Sequence, residues 1–285
     1  MQGAAKDLYS KRVVGCIDHH DEENGVPRDC GKEPRVIRKS GSCSSLVVDY
    51  CKEAWNDLST RSESKETTAW DAELSYLALG PIVIDTTNLT NNFVTPIDIE
   101  AAKYVESLIR GELGDRFNRE KYFKEVVAAK EDIGRLSLPD ILRKDYKQWT
   151  EGGSINLGIS AVVKDLKFLI EKAGSKEKLF EALKEFADER DLSIVSIMTT
   201  SHQDGQFKRE LLAWAMNDRG IKAIRKFEED STKQLRLRTW GDGSLDSDQG
   251  KQWRRCWWQD RIDNSRKQVA PLMRNAIANG GSGRL

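Results

Sequence analysis

Apolar and polar positions in the first third of the chain alternate between short apolar runs and amphipathic stretches. Val13 to Ile17 and Pro81 to Ile84 are continuously apolar and rich in β-branched residues, which suits strands covered on both faces by helices. Each run ends in a carboxylate, Asp18 and Asp85. Residues 44 to 55 and 72 to 80, between them, read as helices. Strand and helix therefore alternate as in an open parallel α/β sheet. Thr95-Pro96 has the form of an N-cap followed by proline at the first helical position, and Ile97, Ala101, Val105 and Leu108 share one face of the helix it opens.

GELGDRFN, residues 111 to 118, carries two glycines and mixed charge and reads as a linker. A domain boundary is placed there, giving domains over 1–112 and 113–285. The second predicts a mixed α+β pattern. Helices are expected over 119–132, 176–190 and 265–279, with strands near 155–163, 192–200, 210–216 and QLRLRTW. GDGSLDSDQG, residues 241 to 250, reads as a flexible insertion.

Composition narrows the function classes. At 285 residues the chain is long enough for two ordinary domains, each with its own core. Its 46 basic groups balance 46 acidic ones, which argues against nucleic acid or a membrane surface held by bulk charge. An anionic partner then needs a local basic cluster. The five cysteines include no CxxC pair, so neither a disulfide framework nor a zinc ribbon is indicated. No apolar run approaches the roughly 20 residues of a membrane span, and the reading is a soluble cytoplasmic protein.

Three places carry candidate chemistry. Asp18-His19-His20 lies just beyond an expected strand end, where open α/β sheets bind ligands, and carboxylate with imidazole suits manganese or a similar divalent ion. The same residues also fit a charged turn facing water, with Asp85 as a cap. In RKSGSCSSLVVDY, residues 38 to 50, Gly41 allows a tight turn and Ser42, Ser44 and Ser45 precede a helix N-terminus. That fits either a phosphate site or a plain serine cap. RKDYK (143–147) and SRK (265–267) are basic groups that are either anion contacts or solvated surface. WRRCWW (253–258) reads as a hydrophobic edge with basic flanks or a cation–π patch.

Together and in this order, IDHH (17–20), GSCSSLV (41–47), IDTTN (84–88), DYK (145–147) and SRKQ (265–268) resemble the DHH phosphoesterase superfamily. The branch is the one carrying the type-two DHH-associated C-terminal domain. Within it the chain looks most like fungal exopolyphosphatases, with prune proteins next and family II inorganic pyrophosphatases further off. The resemblance implies a partial DHH domain over 1–112 and a substrate-binding domain over 113–285. It implies metal-dependent hydrolysis of terminal phosphoanhydride bonds of inorganic polyphosphate, or of pyrophosphate, with two Mn2+ or Mg2+ ions. His19 and Asp85 would then be metal ligands, Asp18 would orient the histidine pair, and His20 would lie beside the metals or substrate. Lys147, Arg266 and Lys267 would bind substrate phosphates, with Ser42 and Ser44 as weaker contacts.

One departure follows from the same resemblance. The family carries two aspartate motifs upstream of the histidine pair, whereas 17 residues precede Asp18 here and Asp7 reads as part of a helix start. The expectation is a truncated sheet with an apolar face left open, an incomplete metal site and little activity. A catalytically dead, prune-like phosphate-binding protein is the reading from another class.

Overall fold

In the computed structural model, the apolar run before the histidine pair becomes a short strand, β1 (Cys16–Asp18), pairing in parallel with β2 (Arg35–Ile37). The structure describes residues 12–22, 25–61, 64–203, 205–249 and 252–280. The helix start read around Asp7 lies outside the described residues. Contacts divide the chain between Lys130 and Glu131 into two compact units.

In the first unit, helices α1 (Cys43–Arg61), α2 (Lys65–Asp85) and α3 (Pro96–Leu113) follow the strands, then a 3-10 turn (Gly114–Arg116) and α4 (Arg119–Glu131). The core joins Val48 of α1, Leu79, Ile82 and Val83 of α2, and Ala101, Val105 and Ile109 of α3. Phe117 belongs to this core, and the Tyr122 hydroxyl of α4 donates to the Tyr76 carbonyl at 2.7 Å. The segment read as a linker at 111–118 thus lies inside the first unit. Its polar letters surround one buried aromatic that ties α4 down.

A second expectation is corrected. Pro81 to Ile84 is not a strand but the last turn of α2. Leu79, Ile82 and Val83 are fully buried at i, i+3 and i+4, which is helical spacing, and a four-residue apolar run cannot distinguish helix from strand by pattern alone. Ser64 starts the helix, its hydroxyl accepting the Thr67 N–H. Proline 81 is tolerated inside it because the carbonyl it orphans belongs to exposed Leu77, where water can satisfy it. Trp70, Leu74 and Leu77 of α2, with Val47 and Leu58 of α1, leave apolar surface exposed.

The second unit is a twisted sheet between helical layers. Its elements are α5 (Leu138–Lys144), β3 (Tyr146–Glu151), β4 (Ile155–Val162), α6 (Leu166–Ala173), α7 (Lys176–Asp188), β5 (Ile194–Gln203) and β6 (Gln206–Ala215). Then come α8 (Asp218–Leu235), β7 (Leu237–Thr239), β8 (Ser247–Gln249), β9 (Gln252–Gln259) and α9 (Arg266–Gly280). Strand order is β3-β4-β5-β6-β9-β7, with β8 also on β9; β4 and β5 run parallel and the other neighbours antiparallel. Alternate residues feed two cores. On β6, Leu211, Ala213 and Ala215 join Phe227 of α8 and Met273 of α9, whereas Leu212 and Trp214 join Leu169 of α6 and Leu183 of α7.

The sequence reading of this half is revised in three places. QLRLRTW, read as a strand, holds β7 at Leu237–Thr239, but Gln234 and Leu235 end helix α8, which is capped by Asn217 and closed by Arg236 at φ 52°. Residues 241–250, read as a flexible insertion, contain buried Leu245 and strand β8 paired with β9. WRRCWW is an interior strand rather than an edge. Trp253 and Trp257 face the α8/α9 core, Cys256 faces the other, and Arg254 stacks 3.4 Å over Phe180. Among the described residues no helix is long and apolar enough to cross a membrane.

Gly220, in the first turn of α8, lets that helix approach β5. A Cβ there would sit 2.5 Å from the Ser193 carbonyl oxygen. Gly220→Ala should lower the unfolding free energy by about 1–3 kcal/mol through overpacking, outweighing the ~1 kcal/mol by which alanine favours a helix over glycine. A urea titration with an unshifted midpoint would refute this close approach.

Candidate functional site

β1 delivers Asp18 to its C-terminal end, where the Arg38 N–H donates to the Asp18 carbonyl. The chain then turns. The Asp18 carboxylate accepts the His20 main-chain N–H at 3.0 Å and the His20 ring Nδ1–H at 2.7 Å. The His19 ring is held differently, with Nδ1 3.1 Å from the Ser40 carbonyl. A carbonyl only accepts, so Nδ1 carries the proton and the lone pair of neutral His19 is on Nε2, the arrangement that prepares an imidazole to ligate a metal. Asp18 therefore orients His20, while Ser40 orients His19. The family resemblance had given Asp18 both tasks.

Ligand atoms of Asp18, His19 and His20 lie within 4.8 Å of one another, the one group of three or more such donors among the described residues. Burial by itself would raise the Asp18 carboxyl, but hydrogen bonds from the side chain and backbone of His20 bring it below its ordinary value. The cluster thus pairs an ionised carboxylate with two tautomerically prepared imidazoles. Two imidazole nitrogens with a carboxylate suit a borderline divalent ion such as Mn2+ better than the oxygen-preferring Mg2+.

The turn Ser40-Gly41-Ser42 joins this cluster to Asp85. Its first residue holds His19, and the hydroxyl of its last, fully buried Ser42, donates to the Asp85 carboxylate at 2.7 Å. Asp85 is the final residue of α2, so it stands at the negative end of a helix dipole and not at a strand end. The Cys43 thiol, opening α1, donates to the Ile17 carbonyl. Burial pushes it up, and the nearby charges of Asp18, Cys16 and Asp85 add to that shift. Both carboxylates therefore reach the start of α1.

Beyond Asp85 the backbone is unusual: Thr87, Asn88 and Leu89 have φ of 50°, 55° and 66°. Non-glycine residues adopt this left-handed region at a cost of about 1–2 kcal/mol each. Buried Thr86 anchors the turn by accepting the Leu89 N–H, and Asn88 bonds both Glu120 and Arg119 of α4.

The serine segment offers a different anion site from the one its letters suggest. Asp98, completely buried, accepts the amides of Gly41 (2.8 Å) and Ser42 (3.0 Å) and the Ser45 hydroxyl (2.6 Å). It also accepts the amide and hydroxyl of Thr95. The protein's own carboxylate thus occupies the position read as a phosphate cradle. Ser42 and Ser44 are both engaged internally, Ser44 with the Ala78 carbonyl. Gly41 is required here, since a Cβ would lie 2.7 Å from Thr86 Cγ2. Asp98 escaped the sequence reading, although an acid three residues after Thr95 is a capping-box signal.

In the second unit, DYK and SRK meet. Arg266 donates to both the carbonyl (2.7 Å) and the carboxylate of Asp145, clipping the start of α9 to the start of β3. Lys147 and Lys267 remain exposed beside this clip, while Arg143 pairs with Asp140.

Residues 124–276 match the DHHA2 domain profile. The chain belongs to the DHHA2 domain family. It is 29% identical over 281 residues to a protein of Schizosaccharomyces pombe named "Putative exopolyphosphatase", across 95% of this chain and 67% of that one. It is 23% identical over 197 residues to the manganese-dependent inorganic pyrophosphatase of Methanocaldococcus jannaschii, spanning 58% of that protein. A crystal structure titled as a "putative family II inorganic pyrophosphatase" of Methanococcus jannaschii aligns with a TM-score of 0.58 at 20% identity, over 95% of this chain and 75% of that one. These findings agree with the DHH-type, exopolyphosphatase-like membership that the five ordered motifs implied, and with an α/β fold.

Asp98 gives a pH test. Burial alone would raise its carboxyl, but bonds from Ser45, Thr95 and Gly41 lower it below its ordinary value. Its folded value lies below the unfolded one of about 3.9, so its stabilisation is present above that pH and lost as pH falls through the folded value. Asp98→Ala should cost about 3 kcal/mol or more at neutral pH by orphaning buried donors. The deficit relative to wild type should shrink below pH 4 in chemical denaturation. An equal deficit at pH 7 and pH 3 would rule the network out as its cause.

Proposed function

We propose that this DHHA2-family chain is an exopolyphosphatase-like phosphoanhydride hydrolase. The observation that carries the reading is the Asp18-His19-His20 cluster with its prepared His19 tautomer, in a chain whose relatives are named for polyphosphate and pyrophosphate hydrolysis. His19 and Asp85 would hold a divalent ion, Mn2+ or Mg2+, with Asp18 fixing His20 beside it; Asp85 lies outside the cluster of donor atoms within 4.8 Å and is linked to it through the Ser40–Ser42 turn. When bound, such an ion neutralises phosphoryl charge and lowers the pKa of a ligated water. Ser42 takes the task of holding Asp85. In the second unit Lys147 and Lys267 bind substrate phosphates as point charges, and Arg266 contributes by setting the clip to Asp145.

A cytoplasmic location suits the five free cysteines. Pyrophosphate is the alternative substrate. Binding without turnover is the second reading, favoured by one specific observation: the described donors form a single three-residue cluster, whereas two-metal hydrolysis needs ligands for two ions about 3.5–4 Å apart.

The full chain should release orthophosphate from polyphosphate in a Mn2+-dependent way, faster than from pyrophosphate. His19→Ala should reduce that rate by at least the 10–100-fold that loss of an outer-shell partner costs. Polyphosphate bound with no phosphate released would instead establish the binding reading.

Ser42→Ala, which removes the hydroxyl holding Asp85, should weaken Mn2+ binding by about 10-fold with little loss of secondary structure. Titration calorimetry showing unchanged affinity would remove Asp85 from the metal site.

A further inference from the structure

Arg209 is a half-buried arginine for which the family motifs and the proposed chemistry have no use. It lies on β6 opposite Thr200 of β5, and by strand alternation it faces the same side as Leu211 and Ala213, the side covered by α8 and α9. Lys147 shares that side through Trp149 of the same core. The sheet register separates them by three strands and four residues: Lys147 pairs with Ile159, level with Ser196 of β5, and Arg209 pairs with Thr200, farther toward the C-terminal end of the parallel strands β4 and β5. The loop leading to Ser265, Arg266 and Lys267 is brought to this end. Arg209 Nε donates to the Ile262 carbonyl at 2.6 Å, and the Gln259 amide donates to the carbonyls of Arg261 and Asn264.

Among the described residues Arg209 has no counter-ion and, unlike Arg254, which is covered by the rings of Phe180 and Trp214, keeps its guanidinium toward the loop before α9. Arg266 pairs with Asp145 and Arg238 with Asp260, but no carboxylate among the described residues comes within ion-pair distance of Arg209. It donates to the Ile262 carbonyl and lies 5.0 Å from the centre of the Phe207 ring. Burial pushes the guanidinium below its ordinary value, and the more distant Asp263 only partly opposes this. A partly desolvated charge without a partner is costly, and it becomes favourable when an anion arrives. The fork of a guanidinium matches phosphate oxygens in a way that lysine does not.

We propose that Arg209 is a further phosphate-binding residue of the second unit, engaging a phosphate farther along a chain whose end lies at Lys147 and Lys267. The inference rests on the polyanion reading above and deepens it. It makes the second unit selective for phosphate chains over single phosphates, because an isolated orthophosphate spans only one of the two positions.

The test titrates orthophosphate and a long-chain polyphosphate into the full chain, as wild type, Arg209→Gln and Arg209→Lys, with thermal melts to check folding. Arg209→Gln should weaken long-chain polyphosphate binding about 10-fold, the loss of one charge-assisted contact, and leave orthophosphate unchanged. Arg209→Lys should fall between, since it keeps charge but loses the fork. Long-chain polyphosphate affinity equal in wild type and Arg209→Gln overturns the proposal while the hydrolase reading stands. Equal loss for both ligands overturns it too, since Arg209 then only pins the Ile262 loop. Arg209-dependent binding without hydrolysis supports it and refutes the hydrolase reading instead.

Discussion

The buried carboxylate of Asp98 organises the first unit. It draws the amides of Gly41 and Ser42 and the hydroxyl of Ser45 toward the first turn of α3, so two helices distant in sequence are tied at a single point. Ionised and fully enclosed, it is tolerable only because five donors surround it. From that fixed turn, Ser40 extends a carbonyl to His19 and Ser42 a hydroxyl to Asp85. The geometry of the candidate metal residues is therefore inherited from a group that does not touch a metal.

Around Asp85 several local preferences are broken at once. An acid ends a helix where the dipole favours a base, and three consecutive residues after it take left-handed backbone angles, two of them without the excuse of a short amide side chain. Thr86 and Asn88 hold that turn from inside and from α4. Concentrated exceptions of this kind mark sites where geometry is kept for a purpose other than stability.

The second unit solves a different problem, bringing basic groups from distant segments to one sheet without letting them neutralise one another's role. Asp145 engages Arg266 and Asp260 engages Arg238. Lys147, Lys267 and Arg209 are left without such pairing among the described residues. Ion pairs here act as clips that place the strand and helix ends, and the cations proposed to meet phosphate are among those left unpaired.

Five short motifs in order were enough to indicate the family, because each joins a chemical need to a fixed spacing, and the donors Asp18, His19 and His20 could be named before any fold was known. Helices α1, α3, α7 and α9 were legible from caps and 3.6-residue spacing. Residues 81–84 were not, since four apolar residues fit a strand or a helix turn and only the packing of Leu79, Ile82 and Val83 decided it. Asp98, Ser40 and Arg209 depended on tertiary structure more completely. Their importance lies in what they meet 57, 21 and 53 residues away along the chain, the intervals from Asp98 to Gly41, from Ser40 to His19 and from Arg209 to Ile262. Local sequence determines which groups can ligate or donate. Which of them are held still, buried or left without a partner is settled by contacts between segments that no local pattern records.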